Sequence, residues 1–542
     1  MKRWQSKQQL TELLCELVHY QSITGSTDEV EVVNYIHQLL ESENYFQQNP
    51  NHLRIDELED GRGVLTAFVK NGPSDDTIVL LSHIDVVDID DYGAYKDYAF
   101  RPRELTHMFK NNVDVLPNEA KDDLLTGEWL FGRGAMDMKA GTTLHLSMVE
   151  RAINSEWNGN ILLLVVPDEE VNSLGMIKAT EVLQTLQEQE KLNYKLCLNS
   201  EPMFRQYPDD QNMYLYTGSL GKVLPGFLCY GKETHVGEPF HGLNANLLIS
   251  YLNKNLELND AFLEKVGSEV TPPPVSLMNR DLKENYSVQT PVTAVSMYNI
   301  LFMKQTVTDI TDKLYRVMEQ TKSEVEAHMA ERFDRFQEQM DHSSDVSLFE
   351  VSILSYEELY QEAVRKFGEE EVVKRQRQLV EEREEGDRDF STKVVQELAY
   401  MCNHLAPMII LFYSPPFYPA VSSEGDHLVQ SVVNDVEHYM KVRDFKPTTL
   451  SYFNGISDLS FIGESTNNDH DMQTLINNLP LQQLKGNYIP KQSLKVPTMN
   501  VGPLGKDAHQ WTERLELSYS FGQLPHIIAH TISQTFNEKV GK

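Results

Sequence analysis

The sequence of 542 residues contains only four cysteines, and they are widely scattered at Cys15, Cys197, Cys229 and Cys402. They lie in apolar or helical contexts, so neither a disulfide framework nor a cysteine zinc site is predicted. This use of cysteine fits a reducing compartment, and we expect a cytoplasmic protein.

Long apolar runs are also missing. No stretch of about 18 uncharged apolar residues occurs, which argues against a membrane-spanning helix. The amino terminus carries charge with no apolar segment behind it, so it does not resemble a secretory signal. The 48 basic residues are outnumbered by 81 acidic ones, and the formal charge of −33 opposes binding to nucleic acid or to an anionic membrane. We therefore expect neither as a partner.

The chain is too long for one compact core, so two or more domains are predicted. Continuous apolar runs predict buried strands at 161–166 and 194–198, and 63–69 and 77–87 are also predicted to be strands. The polar segment 88–129 is predicted to form loops around a site. These elements are typical of an α/β protein.

His83 and Asp85 lie two residues apart near the end of one predicted strand. Residues i and i+2 of a strand point to the same face, so the carboxylate can lie beside the imidazole. Taken alone, such a histidine is more often a hydrogen-bonded core residue than a metal ligand. Its place at the carboxyl end of a strand favours a site, because open α/β sheets bind ligands there.

Further acids and a histidine follow apolar or glycine-rich segments. Glu169 and Glu170 come directly after one buried strand, and Glu201 follows the next. Asp137 and His509 each lie in a glycine-rich segment, where the plain alternative for Asp137 is a capping residue between a strand and a helix. Packing alone does not readily explain several strands that each deliver such a residue. Together they predict a two-metal hydrolase.

The ordered set His83-x-Asp85, Gly132-Arg-Gly-x-x-Asp137-Met-Lys, Glu169-Glu170, Glu201-Pro and Ala-His509 resembles the M20 family of di-zinc metallopeptidases and deacylases. The length and the sequence before the last motifs are most similar to the RocB-type branch, which is associated with arginine degradation. The resemblance implies a phosphorylase/hydrolase-like catalytic domain with a mixed sheet and helices on both faces. It also implies an inserted α+β lid domain of the dimerisation type.

The resemblance assigns roles to individual residues. His83 and Glu201 would hold one metal ion, and Glu170 and His509 the other. Asp137 would bridge the two ions, and the peptide bond after it is cis in the family. Imidazole and carboxylate oxygen suit zinc, with cobalt or manganese as alternatives.

The same set meets the needs of amide hydrolysis. Two ions about 3.5–4 Å apart would hold a bridging water, lower its pKa and polarise the scissile carbonyl. Glu169 would act as general base on that water and return the proton to the leaving amine. Asp85 would fix the tautomer of His83 by accepting its other N–H.

A lid domain is predicted over 217–340, between a first catalytic segment at 1–216 and a charged helical insertion at 341–390; the catalytic domain would resume over 391–542. His235 resembles the lid histidine that stabilises the oxyanion, usually in the partner subunit. The plain alternative is a turn histidine on an exposed hairpin.

The insertion contains helix formers with opposite charges at i and i+4, which predicts a solvated helix, with an interaction surface as the alternative. The family commonly forms homodimers through the lid, and the insertion leaves that geometry open. Arg280 and Asn299 are candidate substrate contacts, although Arg280 fits a surface arginine better.

The leading prediction is an enzyme that hydrolyses an amide bond (peptide, N-acyl or ureido) in a small amino-acid derivative or short peptide. A role in arginine or amino-acid catabolism is implied by the resemblance alone. The alternatives are a metal-stabilised binding protein without catalysis and a scaffold that acts through the helical insertion. Glu169 favours the enzyme, because catalysis needs this residue and metal binding does not.

Overall fold

The computed structural model of the chain describes residues 3–207, 209–340, 349–491 and 493–538. Residues 341–348, which begin the predicted insertion, lie outside the described residues.

The strands of the described chain are β1 (Leu53–Glu57), β2 (Gly63–Val69), β3 (Asp76–His83), β4 (Trp129–Phe131), β5 (Asn160–Val166), β6 (Asn193–Asn199), β7 (Met213–Tyr216), β8 (Gly218–Ser219), β9 (Gly221–Tyr230), β10 (Lys265–Val266), β11 (Glu269–Val270), β12 (Val275–Asp281), β13 (Thr293–Phe302), β14 (Ser352–Ser355), β15 (Met408–Tyr418), β16 (Val421–Ser422), β17 (Pro447–Leu450), β18 (Thr498–Asn500), β19 (Gly505–Lys506) and β20 (Arg514–Glu516).

Its α-helices are α1 (Lys7–His19), α2 (Asp28–Glu41), α3 (Asn44–Gln48), α4 (Pro102–Asn111), α5 (Asn118–Thr126), α6 (Lys139–Ile153), α7 (Leu174–Glu190), α8 (Ala245–Leu256), α9 (Val307–Gln339), α10 (Tyr356–Phe367), α11 (Glu369–Glu381), α12 (Asp387–Met401), α13 (His427–Lys441), α14 (Asp469–Asn477), α15 (Pro480–Lys485), α16 (Leu517–Ser520) and α17 (Leu524–Asn537). No helix within the described ranges is long and apolar enough to cross a membrane.

The chain divides into two compact units. The first comprises Met1–Leu220, Ala420–Ser465 and Pro490–Lys542, and the second comprises Gly221–Pro419 and Thr466–Ile489. Each unit has its own sheet and helices, so the predicted mixed α/β class is confirmed.

The first unit is built on an eight-stranded mixed sheet with the strand order β1-β2-β5-β3-β6-β18-β7-β17. β3 lies between β5 and β6 and runs parallel to both. Every residue of β5 is buried, as expected for a central strand whose faces are both covered. Because parallel strands point the same way, the carboxyl ends of β5, β3 and β6 meet at one edge of the sheet.

Two predictions about the first unit are corrected by the structure. β3 ends at His83 and not at Val87, because the Val86 N–H bonds to the Ser22 carbonyl and no longer to the sheet. The segment predicted as loops contains α4 and α5. The spacing of Leu105 and Phe109, which places both on the buried face of α4, was the missed helical signal.

The second unit has a five-stranded sheet with the order β12-β13-β9-β15-β14. α8 packs against this sheet, and α9 packs against α8 and hydrogen-bonds to β15 through Thr311 and Tyr413. A capping box at Thr306 starts the long helix α9. β15 pairs along β9 in this sheet, although its residues were predicted to lie in the resumed catalytic domain. Inside the range of the predicted insertion, β14 adds a parallel edge strand to β15, and the charged segment forms α11.

Candidate metal centre

The residues predicted as metal ligands in the first unit come together at one edge of its sheet. His83 ends β3, Glu170 follows β5, and Glu201 follows β6. Asp137 lies just before α6, and His509 lies in the connection between β19 and β20. Three neighbouring strand ends and two loops therefore deliver five potential ligands to one place.

The carboxylate of Asp137 lies between two imidazoles. Its Oδ1 is 3.4 Å from His83 Nε2, and its Oδ2 is 3.2 Å from His509 Nε2. His83 Nε2 is also 3.5 Å from Glu201 Oε1, and His509 Nε2 is 3.2 Å from Glu170 Oε2. Two groups of three donors thus share Asp137, and Glu169 forms a third possible group with His83 and Glu170.

The cluster is deeply buried except on one side. His83 and Glu201 are 2% and 3% exposed, whereas the side chain of His509 is 50% exposed. The Asp137–Met138 peptide bond is cis, as the family resemblance predicted. The cluster is therefore in contact with solvent on the side of His509.

Burial and mutual repulsion shape the electrostatics of the cluster. Burial, reinforced by neighbouring carboxylates, raises the pKa of Glu169, Glu170 and Glu201. Burial alone would lower the pKa of His509, but its bonds with the Asp137 and Glu170 carboxylates raise it to about 11. The three glutamates therefore resist ionising and His509 retains its proton, whereas the two imidazoles beside Asp137 lower the pKa of its carboxyl despite its burial.

The residues fit divalent cations. Zinc lies about 2.0–2.2 Å from nitrogen and oxygen ligands, so two ligands of one tetrahedral ion lie about 3.3–3.6 Å apart. The four donor separations within the cluster, from 3.2 to 3.5 Å, match such edges. Cations would also relieve the repulsion that raises the carboxyl pKa values.

We expect the metal-free protein to lose stability as pH rises above about 5, with the contribution of His509 lost between its unfolded pKa of about 6.5 and its folded pKa of about 11. The raised pKa values of Glu169, Glu201 and His509 mean that the folded state binds more protons than the unfolded chain. Their contribution is complete below the unfolded pKa values and is lost as pH rises through the folded ones. Thermal unfolding with a chelator should show this decline, and the metal-loaded protein should not. The same dependence of the unfolding temperature on pH in the metal-free and the metal-loaded protein would contradict the assignment of these residues as metal ligands.

Asp85 contacts the site through both its main chain and its side chain. Its main-chain carbonyl is 3.0 Å from His83 Nδ1, and its carboxylate Oδ1 is 3.5 Å away, so the carbonyl is the closer acceptor. The carboxylate accepts the N–H groups of Glu169 and Glu170 at 3.0 and 3.1 Å and the Thr24 hydroxyl at 2.7 Å. Asp85 therefore orients the two glutamates as well as the histidine.

A second network holds the turn that carries the glutamates. Asp168 has a φ of 73°. Its carboxylate pairs with the Arg62 guanidinium at 2.7 Å and accepts a hydrogen bond from the Leu174 N–H at 3.0 Å. Glu29 accepts the Asp168 N–H at 3.1 Å and also pairs with Arg62. These contacts fix the left-handed residue that directs Glu169 toward the cluster.

The loop of Asp137 is held by Glu513, which the sequence singled out only for its spacing from His509. Glu513 Oε1 accepts the Met136 N–H at 3.2 Å, and its Oε2 pairs with Arg133 at 2.9 Å. Glu513 and Arg133 are 0% and 1% exposed. This buried ion pair therefore positions the loop of Asp137, a predicted metal ligand.

Replacing Glu513 by alanine is expected to lower the free energy of unfolding by about 1.5–3 kcal/mol, because Arg133 loses its buried partner and keeps only the more exposed Asp91, at 3.1 Å, as a carboxylate partner. The double variant Arg133→Met/Glu513→Leu should lose less than the sum of the single changes. Urea unfolding of the metal-free proteins measures both. Additive losses would show that the two side chains act independently.

The residues predicted to act from the lid lie in the second unit. His235 is exposed, and its Nδ1 accepts the Gly237 N–H at 3.1 Å. Arg280 is exposed and pairs with Asp389 at 2.5 Å, and Asn299 is half-buried in β13 opposite Val275. Their contacts with substrate stay predictions.

Sequence reasoning missed three polar residues near the cluster. The Thr24 hydroxyl donates to Asp85, and His145 hydrogen-bonds the serines that precede two predicted ligands. Asp458 is a 2% exposed acid whose pKa burial raises to about 7. Each lies in a segment of ordinary composition. Only a pattern of polar residues inside otherwise apolar helices and loops could have indicated them.

Comparison with known proteins identifies the family. Residues 108–467, about two thirds of the chain, match the sequence profile of peptidase family M20/M25/M40. The uncharacterized protein YqjN of Bacillus subtilis is 46% identical over 535 residues, which cover 98% of this chain and 97% of YqjN. Protein RocB of the same organism is 30% identical over 536 residues, which cover 96% of this chain and 93% of RocB.

A solved structure agrees in fold. A tripeptidase from Staphylococcus aureus aligns with a TM-score of 0.52 and 12% identity, and the alignment covers 99% of this chain and 100% of that chain. The profile match starts after His83 and ends before His509, so these two histidines are supported by geometry and motif order. The predicted M20 family and its RocB-type branch are confirmed, and the chain belongs to peptidase family M20/M25/M40, a family of metal-dependent hydrolases.

Proposed function

We propose that this protein hydrolyses an amide bond, of the peptide, N-acyl or ureido type, in a small amino-acid derivative or short peptide. The observation that carries the proposal is one carboxylate beyond those that two ions need. The groups His83–Asp137–Glu201 and Asp137–Glu170–His509 each supply three donors. Glu169 belongs to neither of these two groups. It could join His83 and Glu170 in a third, but its Oε2 lies 4.0 Å from His83 Nε2, farther than the 3.2–3.5 Å between the donors of the other two.

Two divalent ions, zinc or alternatively cobalt or manganese, would be held by His83, Asp137, Glu170, Glu201 and His509. When bound, such ions polarise a carbonyl group and lower the pKa of a water between them. The remaining chemistry belongs to the chain. Asp137 presents one oxygen to each histidine, which suits a bridging ligand, and Asp85 holds His83 with Nδ1–H directed away from the ions.

Glu169 would move the proton. Burial raises its pKa, so its carboxylate is a stronger base than an exposed glutamate and can take a proton from water near neutral pH. The N–H of Glu169 is fixed by Asp85, which limits where its side chain can reach. The protonated Glu169 would then give the proton to the leaving amine when the carbon–nitrogen bond breaks.

We also propose that the second unit acts as the lid and that His235 donates a hydrogen bond to the oxyanion. Its Nδ1 is an acceptor for Gly237, which puts the ring proton of the neutral form on Nε2, the donor that an oxyanion needs. A homodimer through this unit, as in the family resemblance, would supply His235 from the partner.

A cytoplasmic location is proposed because all four cysteines are free thiols. A place in arginine or other amino-acid catabolism is proposed from the likeness to RocB.

The experiment is mass spectrometry of a cell metabolite extract incubated with zinc-, manganese- or cobalt-loaded protein, beside the chelated protein. We expect a compound that disappears only with metal and is replaced by an amine and a carboxylic acid. A panel of dipeptides, N-acyl amino acids and ureido acids then ranks substrates by kcat/KM. Two bound ions per chain without turnover of any compound would favour a binding protein and overturn the enzymatic proposal.

A further inference from the structure

A fully buried histidine lies behind the metal cluster. His145, in the middle of α6, has its Nδ1 2.7 Å from Ser82 Oγ and its Nε2 3.0 Å from Ser200 Oγ. Ser82 directly precedes His83, and Ser200 directly precedes Glu201. The imidazole therefore joins the residues adjacent to two ligands that the proposed function assigns to one ion.

The Val501 carbonyl fixes the directions of these hydrogen bonds. Ser200 Oγ is also 3.0 Å from the main-chain carbonyl of Val501, which can only accept. The Ser200 hydroxyl therefore donates to Val501 and accepts from His145 Nε2–H, and His145 Nδ1 accepts from the Ser82 hydroxyl. Each proton has one acceptor, and the ring is neutral. Burial lowers the His145 pKa to about 3, which agrees with a neutral ring.

His145 and its two serine partners lie where the pairing between β3 and β6 ends. β3 and β6 pair in parallel up to Leu81 and Asn199. Beyond that pair, the Ile84 N–H bonds to Val166 at the end of β5, and the Val501 N–H bonds to the Asn199 carbonyl beside β18. The main chain after β3 thus hydrogen-bonds to the end of β5, and the end of β6 hydrogen-bonds to the residue after β18, at the positions that carry the predicted ligands. From α6, the His145 ring reaches both serines, and the Thr142 hydroxyl donates to the His83 carbonyl at 3.3 Å.

We propose that His145 is a positioning residue that fixes the separation of His83 and Glu201 by bridging Ser82 and Ser200, and so sets the affinity of the ion that these ligands share. This inference rests on the ligand assignment of the proposed function. Groups that hold metal ligands from behind typically change metal affinity by about 10–100-fold when they are removed. A ring that only filled space would be replaceable by phenylalanine without such an effect.

The test isolates each ion in turn. In a His509→Ala background, the site of His83 and Glu201 remains; in a His83→Ala background, the site of Glu170 and His509 remains. Cobalt(II) is titrated into each metal-free protein, and its visible absorption reports the dissociation constant. Adding His145→Phe should weaken binding about tenfold or more in the first background and less than about twofold in the second.

Thr143→Val is the matched control. Thr143 is buried on the same helix, but its hydroxyl bonds only to the Lys139 carbonyl of that helix. It should leave cobalt binding unchanged in both backgrounds, whatever it does to thermal stability. If His145→Phe is poorly folded, Ser82→Ala and Ser200→Ala each remove one end of the bridge and should weaken the same site.

The outcomes separate the inference from the proposal beneath it. Weakening confined to the His83–Glu201 site supports the bridge. Equal weakening of both sites, or no weakening beside Thr143→Val, overturns it while leaving the proposed function in place. A wild-type protein that binds no cobalt at all would overturn both.

Discussion

Replacing Glu169 by glutamine is expected to lower kcat by about 10²–10⁴-fold, the range that general acid–base catalysis contributes. Glutamine keeps the size and the N–H bond to Asp85 but cannot take a proton from water. Because the proposed ligand set uses the two groups that share Asp137 and leaves Glu169 out, metal content should stay at the wild-type value. The rate of amine release from the best substrate of the panel measures kcat. Elemental mass spectrometry of the purified protein measures the number of metal ions per chain.

The control for Glu169→Gln is Glu188→Gln on the exposed face of α7, which should match the wild type in both measurements. The pH profile adds a second readout, because the acidic limb that Glu169 ionisation imposes on kcat/KM should disappear in its variant. A variant with wild-type kcat would remove Glu169 from proton transfer. Loss of metal together with activity would instead place Glu169 among the ligands.

Asp137→Asn is expected to abolish measurable turnover and to lower the affinity for both ions. Its two oxygens face His83 and His509 separately, so an amide nitrogen in place of either oxygen removes a ligand from one ion and weakens the charge that holds the other. The several kcal/mol that metal ions contribute to the transition state correspond to a loss of about 10³-fold or more.

Calorimetric titration of metal-free Asp137→Asn with zinc measures the effect on both ions. Asp122→Asn, at an exposed position of α5, is the matched change and should bind zinc as the wild type does. Selective loss of a single ion would show that Asp137 is an ordinary ligand of one site and not a bridge. Retention of two ions with wild-type affinity would exclude Asp137 from the metal centre.

Much of the first unit could be predicted from local pattern. β2 has the predicted bounds, and β5 begins one residue before the predicted run, because continuous apolar residues have few alternatives to a buried strand. Where those runs end, the polar residues that follow must lie at a sheet edge. That is why the predicted ligands His83, Glu170 and Glu201 could be named before the structure brought them together.

Prediction from sequence was less successful where the local pattern is weak or does not specify which other strand an element pairs with. The segment that forms α4 was predicted as loops because polar residues predominate in it and only a few apolar residues mark the buried face of the helix. The strand that forms β15 was predicted as part of the resumed catalytic domain, but it joins the sheet of the second unit, because an apolar run does not specify which sheet it joins. Pairing with β9, a long-range contact, decided that question.

The sequence by itself determined the family, the strands that end at the site and the residue types available for metal binding and proton transfer, because these depend on composition, spacing and motif order. The tertiary structure alone decided how those residues are held. Glu513 meets Arg133 across 380 positions, and His145 meets Ser82 and Ser200 across 63 and 55. No local pattern encodes such contacts, because they arise only when buried polar groups must find partners in the folded core.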